Sequence, residues 1–170
     1  MAFTPDKEIL EEIGWDSKLY SNHAEFSASS PQLEEELSNH VDAEIDNIMA
    51  FYGDNFNVKN LNTGKISNVA WEALKNSWLH NPSQQSFKYG VFVGSKGICH
   101  CFQDNGDYFK KPEVKQQYES KQKVNNFEKA DFCQGKGVNN FIFPNSDKIK
   151  VDSSEGILYC VQYLDSLKIN

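Results

Sequence analysis

The sequence predicts an α+β fold: a two-layer α/β sandwich whose mixed, mostly antiparallel sheet carries helices on one face. Three observations lead there. Apolar residues recur at spacings of three and four in two long segments, residues 31–52 and 65–80, and that is helical periodicity. Apolar runs at 87–93, 98–103, 148–151 and 157–164 are bounded by Gly, Ser and Asp and read as paired strands. The order is strand, two helices, two strands, a polar segment, a short helix and two strands. Clustered strands with helices on one face imply an α+β sandwich of two layers.

Each element has its own signal. Thr4-Pro5-Asp6 resembles a helix start, with Thr4 as N-cap, and Gly14 is a stop after Ile13. Ile9, Leu10 and Ile13 make this segment able to dock on the domain or on a partner. A short strand is expected at 24–28. Ser30-Pro31 opens an acidic helix whose apolar face is Leu33, Leu37, Val41, Ile45, Ile48 and Met49, and Gly53-Asp54-Asn55 is its expected end. The third helix stops at Asn81-Pro82. Gly94-Ser95-Lys96-Gly97 is a hairpin turn. Residues 110–130 are polar and Lys-rich, with Pro112 as a helix start. A short helix is expected over 137–145. No internal repeat or linker divides the chain; residues 1–22 form a helical extension to a domain spanning 23–170.

Composition narrows the function. A chain of 170 residues with 39% hydrophobic and 13% aromatic residues can bury a core. No run of about 18 apolar residues suggests a membrane span. Met1–Asp6 has no secretory signal pattern, and Cys99, Cys101, Cys133 and Cys160 read as reduced thiols, so a cytoplasmic protein is expected. The net charge of −7 argues against nonspecific nucleic-acid binding. All 17 basic residues are Lys, which removes any arginine finger in cis and any bidentate guanidinium clamp. Residues 1–57 hold 13 acids and 2 Lys, a net of −11; the remainder holds 11 acids and 15 Lys, a net of +4. An anionic ligand is therefore expected on the later part.

Three segments carry chemistry. In the third helix Glu72, Asn76 and His80 lie four apart and form one polar stripe beside the apolar arc of Ile66, Val69, Ala70, Ala73 and Ser77. The Asn76 amide oxygen suits Mg²⁺, a hard cation that keeps water and phosphate oxygens in its shell. Glu72, one turn earlier, can accept a proton from a water or hydroxyl nucleophile. Asp104 follows a strand, where a carboxylate can accept the exocyclic amino hydrogen of adenine, and Gly106 permits close backbone approach. Gly135-Lys136-Gly137 precedes a helix, so its amides and the Lys136 charge favour phosphate. Residues 108–136 hold seven Lys and four acids, a composition suited to closing over triphosphate. Cys99-His100-Cys101 does not suit zinc, because on a strand the imidazole faces away from both thiols. His23, His40 and His100 read as packing or surface histidines.

Taken together and in order, these segments resemble the GHKL (Bergerat-fold) ATP-binding superfamily of gyrase, heat-shock chaperones, histidine kinases and mismatch-repair proteins. Residues 72–80 resemble its N box, Asp104-Asn105-Gly106 its first glycine box and Gly135-Lys136-Gly137 a reduced second glycine box. Residues 147–152 followed by Gly156-Ile157-Leu158-Tyr159 resemble its closing strand pair. The layout is most similar to the anti-sigma-factor serine kinases. The resemblance implies a histidine-kinase-like ATPase fold that binds ATP and Mg²⁺. It makes Asn76 the metal ligand, Glu72 the catalytic base and Asp104 the adenine contact. Gly106, Gly135 and Gly137 would form the base and phosphate walls, and His80 and Lys136 join the cofactor-binding set. Asp107-Tyr108-Phe109 stands where the family has its second glycine. The resemblance further implies a regulatory protein partner and a homodimer. It leaves three uses of ATP open: transfer to a Ser or Thr of the partner, hydrolysis, or no turnover. In the last case the chain is a non-catalytic interaction module with a degenerate pocket.

Overall fold

The computed structural model describes residues 3–79, 86–104, 106–122 and 137–169. Its strands are β1 (Tyr20–Phe26), β2 (Phe87–Val93), β3 (Gly97–Gln103), β4 (Lys148–Asp152) and β5 (Ile157–Tyr163). They form one open sheet in the order β1-β2-β3-β5-β4. Every pairing is antiparallel, so the sheet is not mixed as expected. The connections explain this. Two long helices, α2 (Leu33–Phe56) and α3 (Thr63–Leu79), lie between β1 and β2 and return the chain to where β1 ended, placing Phe87 opposite Phe26. The pairs β2–β3 and β4–β5 are hairpins, and hairpins are antiparallel by construction.

Strand alternation sorts the core into two faces. Tyr89, Val91, Val93, Ile98, Phe102, Leu158 and Cys160 meet α2 and α3 in the main cluster. Phe92, Cys99, Cys101, Ile157, Tyr159 and Val161 point to the other face. That face is covered as well, which corrects the expectation of helices on one side only. Helix α1 (Lys7–Ile13) lies across it, with Ile9 and Ile13 fully buried and Phe3 over Gly90. The physical reason is that the central strands are apolar on both faces, and such a sheet needs two covers. Lys148 and Lys150 project from β4 on the same side and pair with Glu12 at 2.6 Å and Glu8 at 2.7 Å. The hairpin turn fastens the end of α1, because Ser95 and Lys96 donate backbone N–H groups to the Gly14 and Ile13 carbonyls.

Several element ends differ from the sequence reading. Asp6, not Thr4, caps α1, its carboxylate accepting from the Ile9 N–H at 2.8 Å. Strand β1 begins at Tyr20 rather than Ala24, because Tyr20, Asn22 and Ala24 face the helix layer in register with β2. Tyr20 Oη and Asn22 Nδ2 donate to the buried Glu44 carboxylate at 2.6 and 2.8 Å, a polar rivet between β1 and α2. Helix α2 runs through Gly53 to Phe56 and ends at left-handed Asn57, φ 52°. A glycine inside a helix costs only about 1 kcal/mol, which the burial of Tyr52 offsets. The Tyr52 hydroxyl also donates to the Gly94 carbonyl at 2.8 Å.

Past β3 come a 3₁₀ turn (Tyr108–Lys110) and α4 (Pro112–Glu119). Helix α4 seals the open edge of β4: Lys115 Nζ donates to the Val151 carbonyl at 2.7 Å, and the Val151 N–H donates to Glu119 at 2.9 Å. An i,i+4 pair thus satisfies both outward groups of an edge residue, as a neighbouring strand would. A π-helical turn (Val138–Ile142) leads into α5 (Phe143–Asn145), and α6 (Leu164–Leu167) follows β5. Among the described residues no helix is long and apolar enough to cross a membrane.

Candidate functional site

Helix α3 sets the first half of the site. The Asn62 side chain caps its start by accepting from the Lys65 N–H at 3.1 Å. Ile66, Val69, Ala70, Ala73, Leu74 and Ser77 are buried against the sheet. Glu72 and Asn76 fall at the edge of that arc, one turn apart, and are half-buried. The Glu72 side chain is 13% exposed, and its nearest cation among the described residues is Lys75 at 4.0 Å.

Across from this stripe lies Gly137, just before the π-helical turn. A Cβ added there would collide with Glu72 Oε2 and come within 3.9 Å of Asn76 Nδ2. Gly137 has ordinary right-handed helical dihedrals, φ −63° and ψ −45°, so its backbone conformation does not require glycine, while a methyl there would need the Glu72 carboxylate to move. Two residues one turn apart on α3 and a third far along the chain therefore form one small cradle with a carboxylate, an amide and a bare backbone.

Asp104 sits on a different element. It follows β3 and is partly buried, and it closes an Asx turn in which the Gly106 N–H donates to Oδ1 at 2.9 Å. Burial pushes its carboxyl above the usual range, the turn hydrogen bond opposing this more weakly. A partly buried carboxyl whose ionised form is disfavoured makes Asp104 a candidate site residue.

An aromatic cluster beside Asp104 had no part in the sequence reading of the site. Tyr118 of α4 meets Phe109 at 5.2 Å, Phe143 at 5.4 Å and Tyr108 at 6.0 Å between ring centroids, each edge-on. Burial, then the nearby Tyr108, with a smaller contribution from the Asp104 charge, holds the Tyr118 phenol well above its ordinary pKa. The cluster joins the 3₁₀ turn, α4 and α5. The signal was present in Asp107-Tyr108-Phe109, but spacing alone did not show that Tyr118 and Phe143 converge there.

The structure thus brings Glu72, Asn76 and Gly137 together. It sets Asp104 and Gly106 in one turn, linked to the 137–145 segment through Tyr118 and Phe143. His80, Gly135 and Lys136 lie outside the described residues, as does Cys133. Cys99 and Cys101 are buried with Sγ atoms 4.0 Å apart, facing α1, while His100 faces the helix layer. Among the described residues no group of three or more His, Cys, Asp or Glu could hold a metal ion. A Mg²⁺ ion carried by nucleotide needs fewer protein ligands, and the Glu72 carboxylate and the Asn76 amide oxygen are donors of the kind it takes; here Glu72 Oε2 stands against Gly137 and Asn76 turns its Nδ2 toward it. No protein-family model and no curated protein matches the chain.

Proposed function

We propose that this chain is a cytoplasmic Mg-ATP-binding regulatory protein of the GHKL type, acting on a protein partner. The observation that carries the reading is the Glu72–Asn76 stripe packed against Gly137, where a Cβ would meet the Glu72 carboxylate. Half-buried Asp104, at the end of a central strand, supports it from the adenine side. The all-antiparallel sheet with α2 and α3 on one face is compatible with an α+β sandwich.

In this reading Asn76 would hold the metal through its amide oxygen, and Asp104 would orient the base. Mg²⁺ supplies charge neutralisation across the phosphates. Glu72 would take a proton from a hydroxyl or water brought to its carboxylate. Gly137 keeps the phosphate wall open. With no Arg in the chain, any further transition-state charge must be met by Lys or by the partner.

The test is calorimetric titration with ATP, with and without Mg²⁺, on the wild-type chain, Asp104→Asn and Asn76→Ala. The reading expects saturable binding, weakened in both variants, with Asn76→Ala losing the Mg²⁺-dependent part. No wild-type binding up to millimolar ATP overturns it and leaves a non-catalytic interaction module on the same fold.

A further inference from the structure

A buried polar chain runs from the sheet to both walls of the cradle. Gln162 of β5 and His100 of β3 are both fully buried. The Gln162 amide nitrogen donates twice, to the Lys65 carbonyl in the first turn of α3 at 3.0 Å and to the Asn145 carbonyl at the end of α5 at 2.8 Å. This double donation fixes the orientation of the amide, so its oxygen faces His100 Nε2 at 2.8 Å and must accept from it. His100 is therefore the Nε2–H tautomer, and its bare Nδ1 accepts from the Tyr89 hydroxyl at 3.0 Å. Both hydrogens and the oxygen of the Gln162 amide are used, a satisfied network inside an apolar core.

Its position matters more than its energy. Lys65, Glu72 and Asn76 are seven and four residues apart, two turns and one turn, so they lie along one stripe of α3. Asn145 ends the segment that Gly137 begins. Gln162 thus grips the far end of each wall of the gap between Glu72 and Gly137. Loss of its two bonds would free α3 and the 137–145 segment to shift against each other, while the apolar packing of Ile66, Val138 and Ile142 remained.

We infer that Gln162 is a positioning residue of the proposed nucleotide site: it sets the gap between the Glu72–Asn76 stripe and Gly137 by tying α3 and α5 to one side-chain amide. This rests on the Mg-ATP reading above. Small displacements of positioned groups are expensive, and outer-shell partners of metal sites typically cost about tenfold to a hundredfold in affinity when removed.

The experiment compares Gln162→Met, Gln162→Asn and Tyr89→Phe with the wild type. Gln162→Met keeps the length and removes the amide. Gln162→Asn keeps an amide one methylene short of both carbonyls and carries the test if Gln162→Met does not fold. Tyr89→Phe breaks the same network at its far end and leaves the clamp intact. The readouts are the ratio of ATP affinity with Mg²⁺ to that without, and amide hydrogen exchange over 137–145. The expected result is that both Gln162 variants lose about tenfold or more in Mg-ATP affinity, with the Mg²⁺ ratio collapsing. Exchange over 137–145 rises in the same variants, and Tyr89→Phe changes neither readout at a comparable loss of Tm. Wild-type affinity in the Gln162 variants would overturn the inference, as would equal effects from Tyr89→Phe. A wild-type chain that binds no ATP removes the nucleotide reading instead, and the exchange arm still decides whether Gln162 holds the two walls together.

Discussion

At the scale of single residues, Gly137 and Asp104 separate stability from function. Gly137 already has helical dihedrals, so Gly137→Ala restricts the unfolded chain at no backbone cost. The new methyl meets only the end of the Glu72 side chain, which can swing away. We expect Gly137→Ala to keep or raise the Tm, by at most about 1 kcal/mol in stability, while weakening Mg-ATP binding and any turnover. A Tm drop of many degrees would show that Glu72 is locked and the cradle rigid. Asp104 behaves conversely. Its folded pKa is raised, so its ionised form is disfavoured by the fold and this cost is relieved as pH falls through that pKa. Asp104→Asn removes the cost and can still accept from the Gly106 N–H, so the apoprotein should melt higher. ATP affinity should fall about tenfold or more, the usual worth of a charge-assisted hydrogen bond. Thermal melts and titration on one preparation check both halves, and a variant that is less stable and binds normally would remove Asp104 from the site.

At the scale of elements, α1 raises the question of which force holds it. Its acids pair with Lys148 and Lys150, whose side chains are 28% exposed. Exposed pairs of this kind are worth about 0–1 kcal/mol. Ile9 and Ile13 are fully buried against Cys99, Tyr159 and Val161, and removing such a side chain costs about 2–5 kcal/mol. Burial should therefore dominate. Ile13→Ala is expected to lower the urea midpoint well beyond Lys148→Ala, and 0.5 M salt should have a minor effect. Equal losses would mean the ion pairs orient α1 and not merely decorate it. The sequence gives the apolar residues of α1 and not their docking face, because a helix of seven residues carries too few positions to specify a partner. Strand alternation made β2, β3 and β5 legible. In β1 the polar residues Ser21, Asn22 and His23 hid the start, since Asn22 faces inward only because Glu44, far along the chain, receives its hydrogen bond.

At the scale of the whole molecule, local order was readable and convergence was not. The stripe of Glu72 and Asn76 follows from helical spacing, whereas its meeting with Gly137, and the Tyr118–Phe143 contact beside Asp104, depend on how the segments after β3 fold back. The Gln162 network was hidden for the same reason: His100 reads as one polar residue in an apolar strand, and its partners lie 11 and 62 residues away. That network makes the whole fold acid-sensitive. Burial is the main cause that pushes the His100 imidazole down to about 4, with the Gln162 bond opposing it. His23 and His40 are also lowered, again chiefly by burial. A histidine with a depressed folded pKa is neutral in the fold, while the unfolded chain binds a proton below about 6.5, so acid favours unfolding. The stability that depends on neutral His100 is fully present above about 6.5 and drains away as pH falls to its folded pKa, below which the loss is complete. Over that window His100 alone accounts for about 3 kcal/mol. The carboxyls of Glu8 and Asp152 are lowered in the fold, so their contributions fade only further into acid, and Asp104 acts in the opposite direction. Urea unfolding should therefore show a midpoint that declines steadily between pH 7 and pH 4.5. Nitrogen-15 spectra of the imidazoles should show His100 held as the Nε2–H tautomer across most of that range. If the spectra showed His100 as the Nδ1–H tautomer, the assignment would fail, and with it the argument that Gln162 has its whole amide committed to α3, α5 and His100.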